Sequence, residues 1–162
     1  MLVIGIDPGT ASTGFGLVEQ ADDGGLSCVE AGVLSTPAGQ PMGERLQALY
    51  SQLKELLLLY RPDSAAVEKL FFQKNVTTAL SVGQARGVAL LALAEARLEV
   101  SEYTPREIKL AVTGYGAADK GQVQRMVQAL LGMPELPRPD DAADALAVAI
   151  CHMHSRGIEA RT

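Results

Sequence analysis

The chain has 162 residues, 48% of them apolar and 20% charged, enough for one domain that buries roughly two-thirds of its surface without staples. No apolar run approaches the roughly 18–20 residues of a membrane span, the start Met1–Asp7 lacks a basic segment and cleavage site, and Cys28 and Cys151 stand far apart without metal spacing. A reducing cytoplasm is therefore expected, and a disulfide framework, a signal peptide and a membrane span are not.

The net charge of −5 runs against nucleic-acid binding, which usually leaves a basic footprint. The cations nevertheless gather in the middle of the chain, at Lys69, Lys74, Arg86, Arg106, Lys109, Lys120 and Arg125, whereas Glu19, Asp22, Asp23 and Glu30 lie elsewhere.

In chain order, residues 2–7 read as a buried strand followed by the turn Pro8-Gly9-Thr10. Residues 14–20 and 26–34 read as two strands joined by Asp22-Asp23-Gly24-Gly25, a hairpin signal. After a loop over 35–42, Leu46, Leu49, Tyr50, Leu53, Leu56, Leu57 and Tyr60 recur at helical spacing and stop before Pro62. A strand at 64–68, a polar-aromatic loop at 69–75, a long helix at 76–97 and a strand at 98–103 follow. Thr104-Pro105-Arg106-Glu107 matches a capping box with Pro at the first helical position. Helices are predicted at 105–112, 119–131 and 140–155. Residues 1–155 then form one α/β domain, a five-stranded mixed sheet flanked by helices, with 156–162 a flexible tail.

Four acids stand where a carboxylate is costly. Asp7 ends the run Leu2–Ile6, Glu68 ends Ala65-Ala66-Val67, and Asp141 and Asp144 open the apolar stretch 142–150. An unpaired buried carboxylate costs several kcal/mol or stays protonated, so a cation is expected among them. Asp7 can also be read as a turn initiator with Gly9 supplying positive φ, and Glu68 as a solvent-facing strand end. Asp140 after Pro139 has the role of an N-cap and is set aside, but no cap explains Asp144, a turn further in. Oxygen-only ligands suit magnesium, with manganese as a substitute, and a two-ion centre suits phosphodiester hydrolysis. Gly114–Gly121 lacks the lysine-serine order of a Walker loop. His152 and His154, two apart, point to different helix faces.

Gly5-Ile6-Asp7-Pro8-Gly9, Val67-Glu68-Lys69 with Phe71 and Lys74-Asn75, Gly83-Gln84-Ala85-Arg86-Gly87, and Asp141-Ala142-Ala143-Asp144-Ala145-Leu146-Ala147 together resemble the RuvC family of Holliday-junction resolvases, nearly end to end. The resemblance implies an RNase H-like fold and a homodimer that cuts four-way DNA junctions by paired, magnesium-dependent nicks leaving 5′-phosphates, in recombination and repair. It makes Asp7, Glu68, Asp141 and Asp144 catalytic ligands to two Mg2+ per subunit, with Asp7 bridging. It places Phe71, Lys74, Arg86, Lys109 and Lys120 at the DNA, Phe71 (or its neighbour Phe72) stacking at the opened junction. It also implies a branch-migration motor as partner. Some relatives carry His in place of the third acid. The first turn resembles the phosphate motif of actin-like ATPases as well, but those need two such domains, and this chain has room for one.

Overall fold

The computed structural model describes residues 1–69 and 75–159, with the side chains of 158 and 159 left aside. The strands are β1 (Leu2–Asp7), β2 (Ser12–Gln20), β3 (Leu26–Ser35), β4 (Ser64–Glu68) and β5 (Val100–Tyr103), and the helices are α1 (Met42–Tyr60), α2 (Val76–Glu95), α3 (Pro105–Thr113), α4 (Lys120–Leu130) and α5 (Asp140–Glu159). They form the expected five-stranded sheet, in the order β3-β2-β1-β4-β5. β1, β2 and β3 meander antiparallel, while β4 and β5 run parallel to β1.

Alternation along the strands divides the core into two layers. Ile4, Ile6, Phe15, Leu17, Ala65 and Val67 face α1 and α2, packing on Leu49, Leu53, Ala85, Ala89 and Leu93. Val3, Val18 and Ala66 face the other way, toward α5 and the buried sides of α3 and α4.

Local chemistry explains most boundaries. The hairpin turns at Gly24, whose φ of +89° favours glycine, and Asp23 Oδ1 accepts the Gly25 N–H at 2.9 Å. Helix α1 begins a turn earlier than its apolar spacing predicts, because the Pro41 carbonyl accepts the N–H groups of Glu44 and Arg45. Helix α2 ends two residues early. Arg97 takes φ +57°, and the Leu98 and Arg97 N–H groups bond the Leu93 and Ala94 carbonyls, a Schellman ending with an arginine where glycine is usual. The fifth strand accordingly starts at Val100 rather than 98. The Thr104–Glu107 capping box is present in full, and a second one, Asp119 with Gln122, opens α4. Helix α5 runs on to Glu159, four residues past its expected end at Ser155, so the predicted tail is shortened; residues 160–162 lie outside the described part.

By length and composition alone, α2 would suffice to cross a membrane. Here it packs on the sheet, with Ala79, Ala85, Ala89, Ala92 and Leu93 buried.

Candidate metal centre and nucleic-acid cleft

Asp7 and Glu68 stand at the carboxyl ends of the adjacent parallel strands β1 and β4, where Ile6 pairs with Val67. Both follow by two residues a position on the α5 side of the sheet, Gly5 and Ala66, so both project toward α5. The solvent-facing reading of Glu68 is corrected: it is half-buried and lines a cleft beside the acids.

What brings α5 down onto them is a platform of glycines. An added Cβ would lie 2.1 Å from the Ala145 carbonyl oxygen at Gly5, 2.0 Å from that of Asp141 at Gly14, and 2.8 Å from Leu146 at Gly16. Gly5 pairs with Gly16 and Asp7 with Gly14 across β1 and β2, so the helix backbone rests on bare strand. Alanines complete the fit, with Ala142, Ala143, Ala145, Ala147 and Ala149 all buried. Carboxylate oxygens of Asp7, Asp141 and Asp144 thereby come within 4.8 Å of one another.

The turn after Asp7 is held from several sides. Thr13 donates to the Gly9 carbonyl at 2.7 Å and accepts the Gly9 N–H at 3.2 Å. Thr10 donates to the Ser81 carbonyl at 2.8 Å, tying the turn to α2. Gly9 does not take the positive φ expected of it. A Cβ there would stand 2.4 Å from the Ser12 carbonyl oxygen, so close approach is the reason for glycine.

Burial first, then the charges of Glu68, Asp144 and Asp141, pushes the Asp7 carboxyl from 3.8 up to about 8. Burial and the Asp144 charge likewise raise Glu68, against a lowering by Asp7, which donates a hydrogen bond to it, and by Lys109 and Lys120. Asp144 is raised by burial, opposed by Lys120. The protein therefore gathers more negative charge than its own side chains neutralise. Three convergent hard oxygen donors, self-repelling without a cation, are what a divalent ion of the magnesium type fits.

A cleft of about 230 Å³ opens beside the acids, lined by Glu68, Asp144, Lys109, Lys120, Pro105, Ile108, Val123 and Ala147. Lys109 and Lys120 are thus brought to the site from α3 and α4. Lys120 Nζ lies 3.4 Å from Asp144 and 3.3 Å from Asp140. Asp140 is no N-cap: it is the first residue of α5, the Pro139 carbonyl accepts the Ala142 and Ala143 N–H groups, and the Asp140 carboxylate goes to Lys120 and Gln124.

Arg86 is not brought to the cleft. It lies on the opposite face of the sheet, 2.5 Å from Glu102, with only 19% of its side chain exposed. Phe71 and Lys74 lie outside the described residues. Asn75 caps α2, accepting the N–H groups of Thr77 and Thr78 at 3.1 and 3.4 Å. His152, buried, hydrogen-bonds Ser64 and Tyr103 at 3.1 and 2.9 Å, and His154 reaches the Ala111 carbonyl. The two diverge, as their spacing predicts. Sequence reasoning missed Asp140 as a partner of Lys120. It also missed Gly14 and Gly16, although glycine at alternate strand positions signals close backbone approach.

The sheet order and the carboxylate cluster at its central strand ends define an RNase H-like domain with a convergent acidic centre able to hold a metal ion. The family model for crossover junction endodeoxyribonuclease RuvC matches residues 3–152, and the chain belongs to that family. It is 59% identical over 155 residues to the crossover junction endodeoxyribonuclease RuvC of Chloroflexus aggregans, covering 96% of this chain and 94% of that one. It is 55% identical over 161 residues to that of Rubrobacter xylanophilus, covering 99% and 89%. Thermus thermophilus RuvC superposes with a TM-score of 0.91 at 37% identity, over 98% of this chain and 97% of that one. The same protein in complex with Holliday junction substrate gives 0.92 at 36%, over 98% and 96%.

Proposed function

We propose that this protein is an endodeoxyribonuclease that resolves four-way DNA junctions by paired, symmetric nicks through magnesium-dependent phosphodiester hydrolysis. The observation that carries the reading is the convergence of Asp7, Asp141 and Asp144 beside Glu68 at the mouth of a lysine-lined cleft, in a chain of the RuvC family whose Thermus relative is solved with a Holliday junction. Asp7, Glu68, Asp141 and Asp144 would hold divalent ions, which when bound would supply activation of the attacking water and neutralisation of the leaving alkoxide, giving a 5′-phosphate product. Asp7 sits at the centre of the cluster, with Glu68 and Asp144 beside it. Lys109 and Lys120 face the entering backbone and supply the local positive charge that the net charge conceals.

Paired cutting needs two sites, hence a homodimer on a two-fold junction. Helix α2 offers the surface. Val76, Leu80 and Leu91 are exposed at 79%, 63% and 54%, and with Gln84 and Gly87 they share one stripe at three- and four-residue steps. By family likeness Phe71 (or Phe72) is assigned to the junction centre and Lys74 to the DNA, and the junction is handed over by a branch-migration motor in the cytoplasm.

The test compares wild type with Asp7→Asn on a mobile four-way junction and a linear duplex, with magnesium or chelator. Paired, magnesium-dependent nicks on the junction alone, lost in the variant without loss of junction binding, are expected. Binding with no cuts would leave only a junction-binding module. Equal cutting of the duplex would keep the chemistry and discard the substrate.

A further inference from the structure

Asp144 belongs to two groups of contacts at once. It shares the carboxylate cluster with Asp7 and Asp141, and it shares the Lys120 ammonium with Asp140, at 3.4 and 3.3 Å. Asp140 and Asp144 are four apart on α5, so a single cation spans both. Only Asp144 has both roles, because Asp140 stands outside the cluster.

Asp140 is itself held in place. Its Oδ2 takes Lys120, and its Oδ1 accepts a hydrogen bond from Gln124 Nε2 at 3.0 Å. Lys120 and Gln124 are one turn apart on α4, so two side chains of that helix grip one carboxylate of the next. The Asp119–Gln122 capping box fixes the start of α4, and with it the Lys120 backbone.

Charge then dictates a competition. A divalent cation seated on Asp144 repels the ammonium from that carboxylate, and the ammonium in turn opposes the cation. A second carboxylate outside the cluster relieves the conflict. We propose that Asp140 is a positioning residue that keeps Lys120 at the mouth of the cleft when a divalent cation takes Asp144. One lysine thereby serves as the counter-ion of Asp144 before metal binding and as a cation facing the substrate phosphate afterwards. This rests on the reading of Asp144 as a metal ligand.

The experiment measures Mn2+ binding to the DNA-free protein, from the electron paramagnetic resonance signal of free Mn2+, in wild type, Lys120→Met, Asp140→Asn and the double variant. Lys120 and Asp140 are both more than half exposed, so the substitutions leave the core intact. Lys120→Met is expected to tighten Mn2+ binding about threefold, the scale of a partly exposed ion pair. Asp140→Asn should weaken it about fourfold when Lys120 is present and less than about twofold in the Lys120→Met background, because its effect runs through the lysine. The same fold-change in both backgrounds would show that Asp140 acts only by its field and would overturn the inference. Unchanged affinity in Lys120→Met would do the same. A wild-type protein that binds no Mn2+ would remove the metal-ligand reading and the inference with it.

Discussion

Gly14 and Asp141 meet so closely that a Cβ on the glycine would lie 2.0 Å from the aspartate carbonyl oxygen. Gly14 is also the cross-strand partner of Asp7. One bare position in β2 therefore sets both the height of α5 above the sheet and the separation of two acids from distant parts of the chain. With Gly5 and Gly16 it forms the floor on which the carboxylate cluster is assembled.

Gly14→Ala should accordingly damage the site more than the fold. Overpacking costs about 1–3 kcal/mol, about 2–12 °C in Tm for a domain of this size. Displacing Asp141 and Asp144 by about 1 Å should lower junction cleavage about a hundredfold. Gly43→Ala in α1, where an added Cβ meets nothing within 4 Å, is the control and should leave both unchanged or raise Tm slightly. Melting curves and single-turnover cleavage of the two variants decide. Full activity in Gly14→Ala would remove the glycine floor from the account.

The raised Asp7 carboxyl predicts how metal-free stability depends on pH. In the unfolded chain this group titrates near 3.8, in the folded protein near 8, so between those values the native state holds more protons than the unfolded one. Its contribution to stability is full below 3.8 and is lost as pH rises toward 8. With chelator present, wild type should lose Tm relative to Asp7→Asn between about pH 4 and pH 8. Magnesium should restore it, more strongly at the higher pH, because binding displaces the proton. Parallel pH curves for the two proteins would show that Asp7 does not carry the strain.

Lys109→Ala tests the basic wall of the cleft. Its loss should weaken junction binding and lower the slope of log affinity against log salt by about one per lost phosphate contact. Titrations at several salt concentrations read this directly. An unchanged slope together with unchanged kinetics would take Lys109 out of the DNA contact.

Leu80→Glu and Leu91→Glu test the exposed stripe of α2. Each places a charge in the proposed dimer surface at a side chain that is more than half exposed, so the monomer should keep its Tm and lose its partner. Light scattering should show a shift from dimer to monomer, and junction products should change from paired to single nicks. A dimer that survives both substitutions would place the interface elsewhere.

Much of this protein was legible before any tertiary structure. Apolar runs that end in Asp7 and Glu68, and Asp144 set a turn inside an apolar helix, are placements that local propensity does not explain, and the structure brings these residues together. The hairpin at Gly24 and the capping box at Thr104 followed from local backbone chemistry, which is why they were recovered. Helix ends were less legible: Arg97 holds a left-handed conformation that its side chain does not announce, and α5 continues past the last patterned residue. Arg86 counted as a cation in the sequence, but its strand-facing position on α2 gives it to Glu102, on the face of the sheet away from the cleft.

Sequence alone therefore determined the alternation of elements and singled out the four acids, because these rest on periodicity, capping and the cost of burying charge; the family followed from the resemblance of its motifs. Only the tertiary structure decided which side each strand end faces and how closely α5 approaches β1 and β2. It alone showed that Lys120 divides itself between Asp144 and Asp140. Those are distances between segments far apart in the chain, set by register and by the absence of side chains at Gly5, Gly14 and Gly16, and no local pattern encodes a distance.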